Sequence, residues 1–296
     1  MASPQTTFRI GPSGWSYPDW EKIVYPAVKP RGFSPLRYIA RFFNTVEVNT
    51  TFYRIPAAKM TQAWTRLVPQ DFRFAVKLTQ SFTHQRGEFP ARRDFDDFAE
   101  GVKPLREAGM LGPLLIQFPW SFRFDRKNAN WLLRIGERLR DYQRVIEVRH
   151  SSWARPRGLE VIARCGGFCN IDQPRLRDCL EPTAHAGGDW PAYVRLHGRN
   201  DSAWFADNIP GYERYNYLYS EAELREWVAR IESMATQAHE VYVFANNHYR
   251  GQGVANALEL RAMLEGGPVA VPDHLPGHYP RLEAVAAPPR EPGLFG

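Results

Sequence analysis

Short apolar runs alternate along the chain with longer amphipathic stretches. Eight runs read as strands: Phe8–Gly11, Thr45–Asn49, Phe72–Lys77, Leu114–Gln117, Val145–Arg149, Phe168–Asp172, Tyr193–His197 and Val241–Asn246. Most are nearly continuous apolar segments, as parallel strands covered on both faces require. They recur about every 33 residues, the length of a βα unit.

Helical periodicity fills most of the gaps. Ser34 and Pro35 read as N-cap and first helical residue before Leu36–Phe43. A second helix runs from about Lys59 to Leu67 and stops before Pro69. Asp94 opens a third, with Phe95, Phe98, Val102 and Leu105 on one stripe and Gly109 as its end. Asn128–Tyr142 carries Trp131, Leu132, Ile135 and Leu139 at helical spacing, and Leu159–Arg164 is a shorter helix closed by Gly166. Ser220 and Glu223 form a capping box before Leu224, Trp227, Val228 and Ile231, and Ala255–Leu264 is the last helix. The stretch Gln173–Trp190 has weak periodicity, so its helix is expected to be short or missing. Gly198–Tyr219 is a long aromatic insertion, and loops of that length are more often functional than accidental.

Strands and helices in this alternation predict an α/β fold, a single-domain (β/α)8 TIM-type barrel with irregular loops after strands six and seven. The expected organisation is an N-terminal tail (1–7), the barrel (8–265) and a Pro- and Gly-rich C-terminal tail (266–296), the last running over the surface and disordered from about Val285. An open doubly wound sheet is the alternative, but GPSGW after the first strand does not match the GxGxxG turn of a dinucleotide fold.

Composition narrows this only a little. With 296 residues, 44% of them hydrophobic, a large single core is feasible. No apolar run approaches the ~20 residues of a membrane span. The opening MASPQTTFRIG has neither a basic start nor an apolar h-region. Cys165, Cys169 and Cys179 show no CxxC spacing, which fits a reduced, cytoplasmic protein. The net charge of +6 favours anionic ligands.

The candidate chemistry sits at the strand ends. In a barrel, alternate strand residues face the lumen, and the C-terminal layer floors the active site. Period two turns inward Glu47 and Asn49, Lys77, Gln117, Glu147 and Arg149, Asn170 and Asp172, Arg195 and His197, and Asn246, with Ser13 in the turn after the first strand. The carboxylates Glu47, Glu147 and Asp172 oppose the cations Lys77, Arg149 and Arg195. Such a ring is either a self-neutralising network or a ligand site. The loops above it carry Trp15, Tyr17, Phe52, Tyr53, Phe82, Phe118, Trp120, Phe122, Trp153, Trp204, Phe205 and Tyr249, rings that could stack on a sugar or nucleobase. Arg54, His84, Arg86, His150 and Arg199 lie in the same loops and favour a phosphate or carboxylate on the ligand. Glu47 and Glu147, facing each other across the lumen, could work as acid and base, and His150 or His197 could titrate near neutral pH. Glu47, Glu147, Asp172 and His197 could also converge on a metal, although Lys77 and Arg149 would compete for the carboxylates. With no HxH or HExxH motif, neither a metal nor another cofactor is expected.

The segments GPSGWSYPDW, FFNTVEVNTTFYRIP, FRFAVKLTQSFTH, GPLLIQFPWSF, VIEVRHSSW, AYVRLHGR and VYVFANNHYRGQGVANA resemble the YecE-like family, classed as a domain of unknown function. The resemblance spans about residues 8 to 265 and implies a TIM-type barrel without naming a reaction. The motif positions it carries over are Gly14, Trp15, Glu47, Asn49, Phe52, Tyr53, Lys77, His84, Gln117, Glu147, Arg149, His150, Trp153, Arg195, His197, Arg199, Asn246 and Asn247. The family is likened to metal-dependent barrels acting on sugars or damaged DNA, but this sequence lacks their dense His/Asp/Glu ligand set.

The expectation is therefore an enzyme (a hydrolase, lyase or isomerase) acting on a small anionic, ring-bearing ligand such as a phosphorylated sugar or nucleotide. Glu47, Glu147 and His197 are its catalytic candidates. Lys77, Arg149 and Arg195 would hold the anion, and Trp15, Tyr53 and Trp120 would stack on the ring. Asn49, His84, Gln117, His150, Asp172, Arg199 and Asn246 complete the binding set. A nucleic-acid-binding or repair-type hydrolase and a non-catalytic binding protein are the alternatives. No membrane association is expected.

Overall fold

The computed structural model of the chain describes residues 6–288. Eight parallel strands follow one another in the order β1-β8-β7-β6-β5-β4-β3-β2. They are β1 (Thr7–Pro12), β2 (Thr45–Val48), β3 (Arg73–Lys77), β4 (Leu111–Gln117), β5 (Arg144–Glu147), β6 (Gly167–Asp172), β7 (Ala192–Leu196) and β8 (Glu240–Ala245). Every strand expected from the apolar runs is present, with its ends shifted by a few residues. The largest shift is in β4, which starts at Leu111 rather than Leu114, with Leu111 paired to Phe74.

Helices lie between the strands: α1 (Pro35–Ile39), α2 (Ala58–Thr65), α3 (Gln80–Thr83), α4 (Arg92–Glu107), α5 (Arg126–Arg138), α6 (Pro156–Cys165), α7 (Asp201–Trp204), α8 (Glu221–Ala235) and α9 (Gln252–Glu265). Capping fixes several of their starts. The Ser34 hydroxyl accepts from the Arg37 amide, Asp125 accepts from the Asn128 amide, and Ser220 and Glu223 cap α8 reciprocally. Helix α4 begins before Asp94 because that carboxylate caps backwards, accepting from the Ala91 amide at 2.7 Å. The stretch after β6 has no helix among its residues 173–190. It is pinned instead to Asn170, whose Oδ1 accepts from the Thr183 hydroxyl and the His185 amide, each at 2.7 Å.

The barrel closes between β1 and β2 along a seam with little ladder. One parallel bridge joins Ser13 to Glu47, and the Gly14 amide donates to the Glu47 carbonyl at 2.8 Å. Lower down, the Asn44 side chain replaces a strand partner: its Oδ1 accepts from the Ile10 amide and its Nδ2 donates to the Phe8 carbonyl. Gly11 makes the close approach feasible, because a Cβ there would lie 2.1 Å from the Thr45 carbonyl oxygen.

Helix α9 is buried on nearly every side from Gly253 to Leu260. An all-round buried helix needs a cover on its outer face, and the segment after Gly266 supplies it. Leu275 and Leu282 are fully buried, and Val269 pairs with Ala286. Arg281 pairs with Glu259 of α9 at 2.8 Å, and the Tyr279 hydroxyl donates to the Arg250 carbonyl. This stretch is thus a packed strap as far as Ala287, whose amide donates to the Val269 carbonyl. The rest of the expected disordered tail, 289–296, lies outside the described residues.

Candidate functional site

Arg195 of β7 occupies the centre of the barrel, almost wholly buried, and binds two carboxylates at once. Its Nε and Nη2 donate to Glu47 Oε2 and Oε1 at 2.9 and 2.7 Å, and its Nη1 donates to Glu147 Oε2 at 2.5 Å. Glu47 also accepts from the Tyr193 hydroxyl (2.8 Å) and the Ser13 hydroxyl (2.9 Å), so four donors saturate it. Glu147 Oε1 accepts from Arg149 Nε at 2.9 Å. Burial alone would raise the Glu147 carboxyl, but the Arg195 and Arg149 guanidiniums hold it well below the usual range. The arginine responds in kind: burial would lower it, and the two carboxylates drive it well above its ordinary value.

One proton position follows from this geometry. Asn246 Oδ1 accepts from Arg195 Nη2 at 3.2 Å, which turns the amide nitrogen toward His197 Nδ1 at 3.0 Å. The imidazole proton is thereby placed on Nε2. That atom faces Glu147 Oε1 at 3.2 Å, off the line of a good hydrogen bond. Burial pushes His197 down to about 3 despite the neighbouring carboxylate, so the ring is neutral. His150 is lowered too, by burial. His197 therefore does not titrate near neutral pH, contrary to the expectation from the sequence.

Above this floor opens a cavity of about 420 Å³. Its base is formed by Lys77, Arg149, Arg195, Asn49 and Asn246, and its walls by Trp15, Tyr17, Phe52, Tyr53, Trp64, Tyr215 and His248, with Arg54 at the edge. Local folding sets each wall. The Thr51 hydroxyl donates to the Lys77 carbonyl at 2.6 Å, which holds the loop after β2 against β3 and seats Phe52 over the Lys77 amine, 4.0 Å from the ring centre. Trp15 meets Trp64 edge-on at 5.2 Å, and Tyr17 stacks on His248 at 4.4 Å. Asn49 Oδ1 and His248 Nδ1 are buried without partners among the described residues. Lys77 makes no salt bridge among the described residues. Burial, reinforced by Arg195, pushes its amine down to about 7.

The sequence-predicted residues fall into three groups. Lys77, Arg149, Arg195, Asn49, Asn246, Trp15 and Tyr53 do converge on the cavity, Tyr53 being largely exposed. Glu47, Glu147 and His197 lie beneath its floor, fully buried and committed to one another and to arginines. The acid–base pairing of the two glutamates is therefore corrected: neither carboxylate lines the cavity, and Glu47 has no open lone pair. Gln117 is also interior, its amide donating to the Phe118 carbonyl.

The third group lies elsewhere. Asp172 points outward, accepting from Arg199 Nε and from Trp227 Nε1 of α8 at 2.7 Å. Arg199 continues outward to Glu223 at 3.0 Å. Asn170 also faces out, and Cys169 and Ile171 take the lumen positions of β6. His84 stands edge-on behind Phe52 at 4.8 Å, and burial with Lys77 lowers it to about 4. Trp120 and His150 pair on another part of the rim, 5.2 Å apart, beside Phe205. Trp120 is therefore corrected as a stacking residue of this cavity. Phe82, Phe118, Phe122 and Trp153 are core.

The four groups considered as metal ligands do not assemble, since Arg195 separates Glu47 from Glu147 and Asp172 is turned away. Among the described residues no cluster of three or more His, Cys, Asp or Glu side chains could hold an ion. The sequence reading missed Trp64, Tyr215 and His248 as lining residues. His248 lies two residues beyond Asn246 and could have been found by continuing the strand-end count; Trp64 is on a helix, where no strand periodicity reaches it.

A family profile described as "Protein of unknown function DUF72" matches residues 9–279. The UPF0759 protein YunF of Bacillus subtilis (strain 168) is 29% identical over 269 residues, 86% of this chain and 94% of that one. The UPF0759 protein YecE of Escherichia coli (strain K12) is 31% identical over 145 residues, 48% of each chain. Among solved structures, a DUF72 family protein from Thermotoga maritima superposes with a TM-score of 0.74 at 34% identity, covering 88% of this chain and 99% of that one. A second, from Enterococcus faecalis, gives 0.74 at 24% identity over 88% and 96%. No helix among the described residues is long and apolar enough to cross a membrane.

Proposed function

The chain belongs to the DUF72 family of barrel proteins, and we propose that its barrel mouth is an active site for a small anionic, ring-bearing molecule, with Lys77 as the proton-transfer group. The observation that carries this reading is an amine, without an ion-pair partner among the described residues, in an aromatic-walled cavity. The carboxylates nearest to it are already taken by arginines, so the surface offered to a ligand is cationic and ring-lined. An amine near 7 can both accept and return a proton at neutral pH, which a buried, saturated carboxylate cannot. The cavity volume, about 420 Å³, is within the range of small-molecule sites and would take one sugar phosphate or nucleotide-sized ring.

Thermal-shift and calorimetric titration with ribose 5-phosphate, nucleoside monophosphates and their unphosphorylated parents tests this. The phosphorylated compounds are expected to stabilise the protein and the neutral parents not. Lys77→Met should weaken binding about tenfold or more, the loss of one charge-assisted contact. Equal responses to charged and neutral compounds, or none to either, would remove the reading.

A further inference from the structure

We propose that Lys77 also acts as a nucleophile, its amine condensing with the aldehyde or ketone of a small anionic, ring-bearing carbonyl compound to form an imine. This rests on the ligand reading above and narrows the class of ligand.

The argument begins with placement. Lys77 closes β3 at the cavity base, and its amine lies over Phe52, a weaker partner for an ammonium than any carboxylate. The charged groups around it are Arg195 and Arg149, Glu47 and Glu147, and His84. Both carboxylates are engaged by arginine, and His84 is held neutral by its own low value. Nothing there favours the ammonium strongly, and burial disfavours it, so a large share of the amine keeps its lone pair at neutral pH. The other five lysines, Lys22, Lys29, Lys59, Lys103 and Lys127, are all exposed. Lys77 thus differs from every other amine side chain of the protein in burial, and it opens onto the aromatic-walled cavity.

The chemistry closes without a further reactant. The amine lone pair attacks the carbonyl carbon and forms the C–N bond. The carbonyl oxygen gathers the two amine hydrogens and leaves as water, and the C=N bond takes its place. No oxidant or reductant is consumed. Arg149 and Arg54 are placed to hold the anionic group, and Trp15 and Tyr17 to face the ring. A protonated imine at this position is an electron sink, which gives an acid–base site the means to break a bond next to the former carbonyl.

The probe is pyridoxal 5′-phosphate, an anionic aromatic aldehyde, added to the full chain at neutral pH. Borohydride then delivers hydride to the imine carbon and fixes the adduct as a secondary amine, which peptide mass mapping locates. Pyridoxine 5′-phosphate, with an alcohol in place of the aldehyde, reports binding without condensation. The expected result is labelling of Lys77 about tenfold or more above each exposed lysine, as its lower pKa dictates, with protection by pyridoxine 5′-phosphate. Lys77→Arg should abolish that adduct, and the mapping on the unaltered protein stands whether or not this variant folds. Indiscriminate labelling of the lysines, while pyridoxine 5′-phosphate still raises the melting temperature, would overturn the nucleophile and leave the anionic-ring reading intact. Absence of both labelling at Lys77 and any thermal shift would overturn both.

Discussion

Arg195 is shared between two carboxylates, and that sharing decides what each of them can do. Glu47 and Glu147 both accept from a guanidinium they cannot leave, so their contribution is to fix Arg195 and, through Asn246, the His197 tautomer. Removing the arginine would strand two buried charges. Arg195→Met is expected to cost about 3–5 kcal/mol, measured as a fall in the denaturant midpoint. A variant as stable as the parent would show that the carboxylates can neutralise themselves. The histidines add a pH dependence. Burial lowers His84 and His248 to about 4 and His197 to about 3 in the folded protein. The unfolded chain takes up these protons near pH 6.5. Between about 6.5 and 4 the unfolded state binds more protons, so stability falls as pH drops through that window. Denaturation at pH 7.5 and pH 5 should show the lower midpoint at pH 5, and His197→Asn should narrow the difference without removing it, since His84 and His248 remain. The inward turn of Glu47, Lys77 and Arg195 was legible from alternation because each strand is read locally. The saturation of Glu47 was not, because its donors come from β1 and β7, far away in the chain.

At the scale of the element, β6 teaches where alternation fails. Phe168–Asp172 alternates equally well in either phase, and period two alone does not decide whether Asn170 and Asp172 face the lumen or the helices. The outward phase holds because the outer face offers better partners. Asp172 finds Trp227 of α8 and Arg199, and Asn170 anchors the helix-free loop after the strand. Asp172→Asn should therefore lower the melting temperature, through about 1–3 kcal/mol of lost pairing for Arg199, and leave affinity for an anionic ligand unchanged within twofold. A matching loss of affinity would put Asp172 back among the binding residues. The capping boxes and apolar stripes were readable because their partners lie within one or two turns, as at Ser220 and Glu223.

The whole molecule depends on a segment whose composition suggested a loose end. Proline and glycine are frequent after Gly266, yet Leu275 and Leu282 are buried, and Arg281 reaches both Glu259 and the Tyr219 carbonyl. The strap thereby touches the loops after β7 and β8 that carry Tyr215 and His248 to the cavity. Truncation after Gly266 should expose the outer face of α9, leaving a chain that melts far lower or does not fold, with protease cleavage appearing in the loop that contains His248. Retention of the parental melting temperature would mean that the strap only rests on the barrel. Such a role escapes a sequence reading, since an isolated leucine in a turn-rich stretch has no periodicity to mark it.

The placement of Glu47 and Arg195 on opposite sides of the chain's midpoint has a consequence for dissection. Cutting in the turn between α5 and β5 would leave the Glu47 carboxylate on the first fragment and its guanidinium on the second. The first piece would carry a carboxylate whose counterion travels with the second, where Arg195 keeps only Glu147. The two fragments should then reassemble as a matched pair rather than each with its own copy, and the seam that joins them would be read by charge.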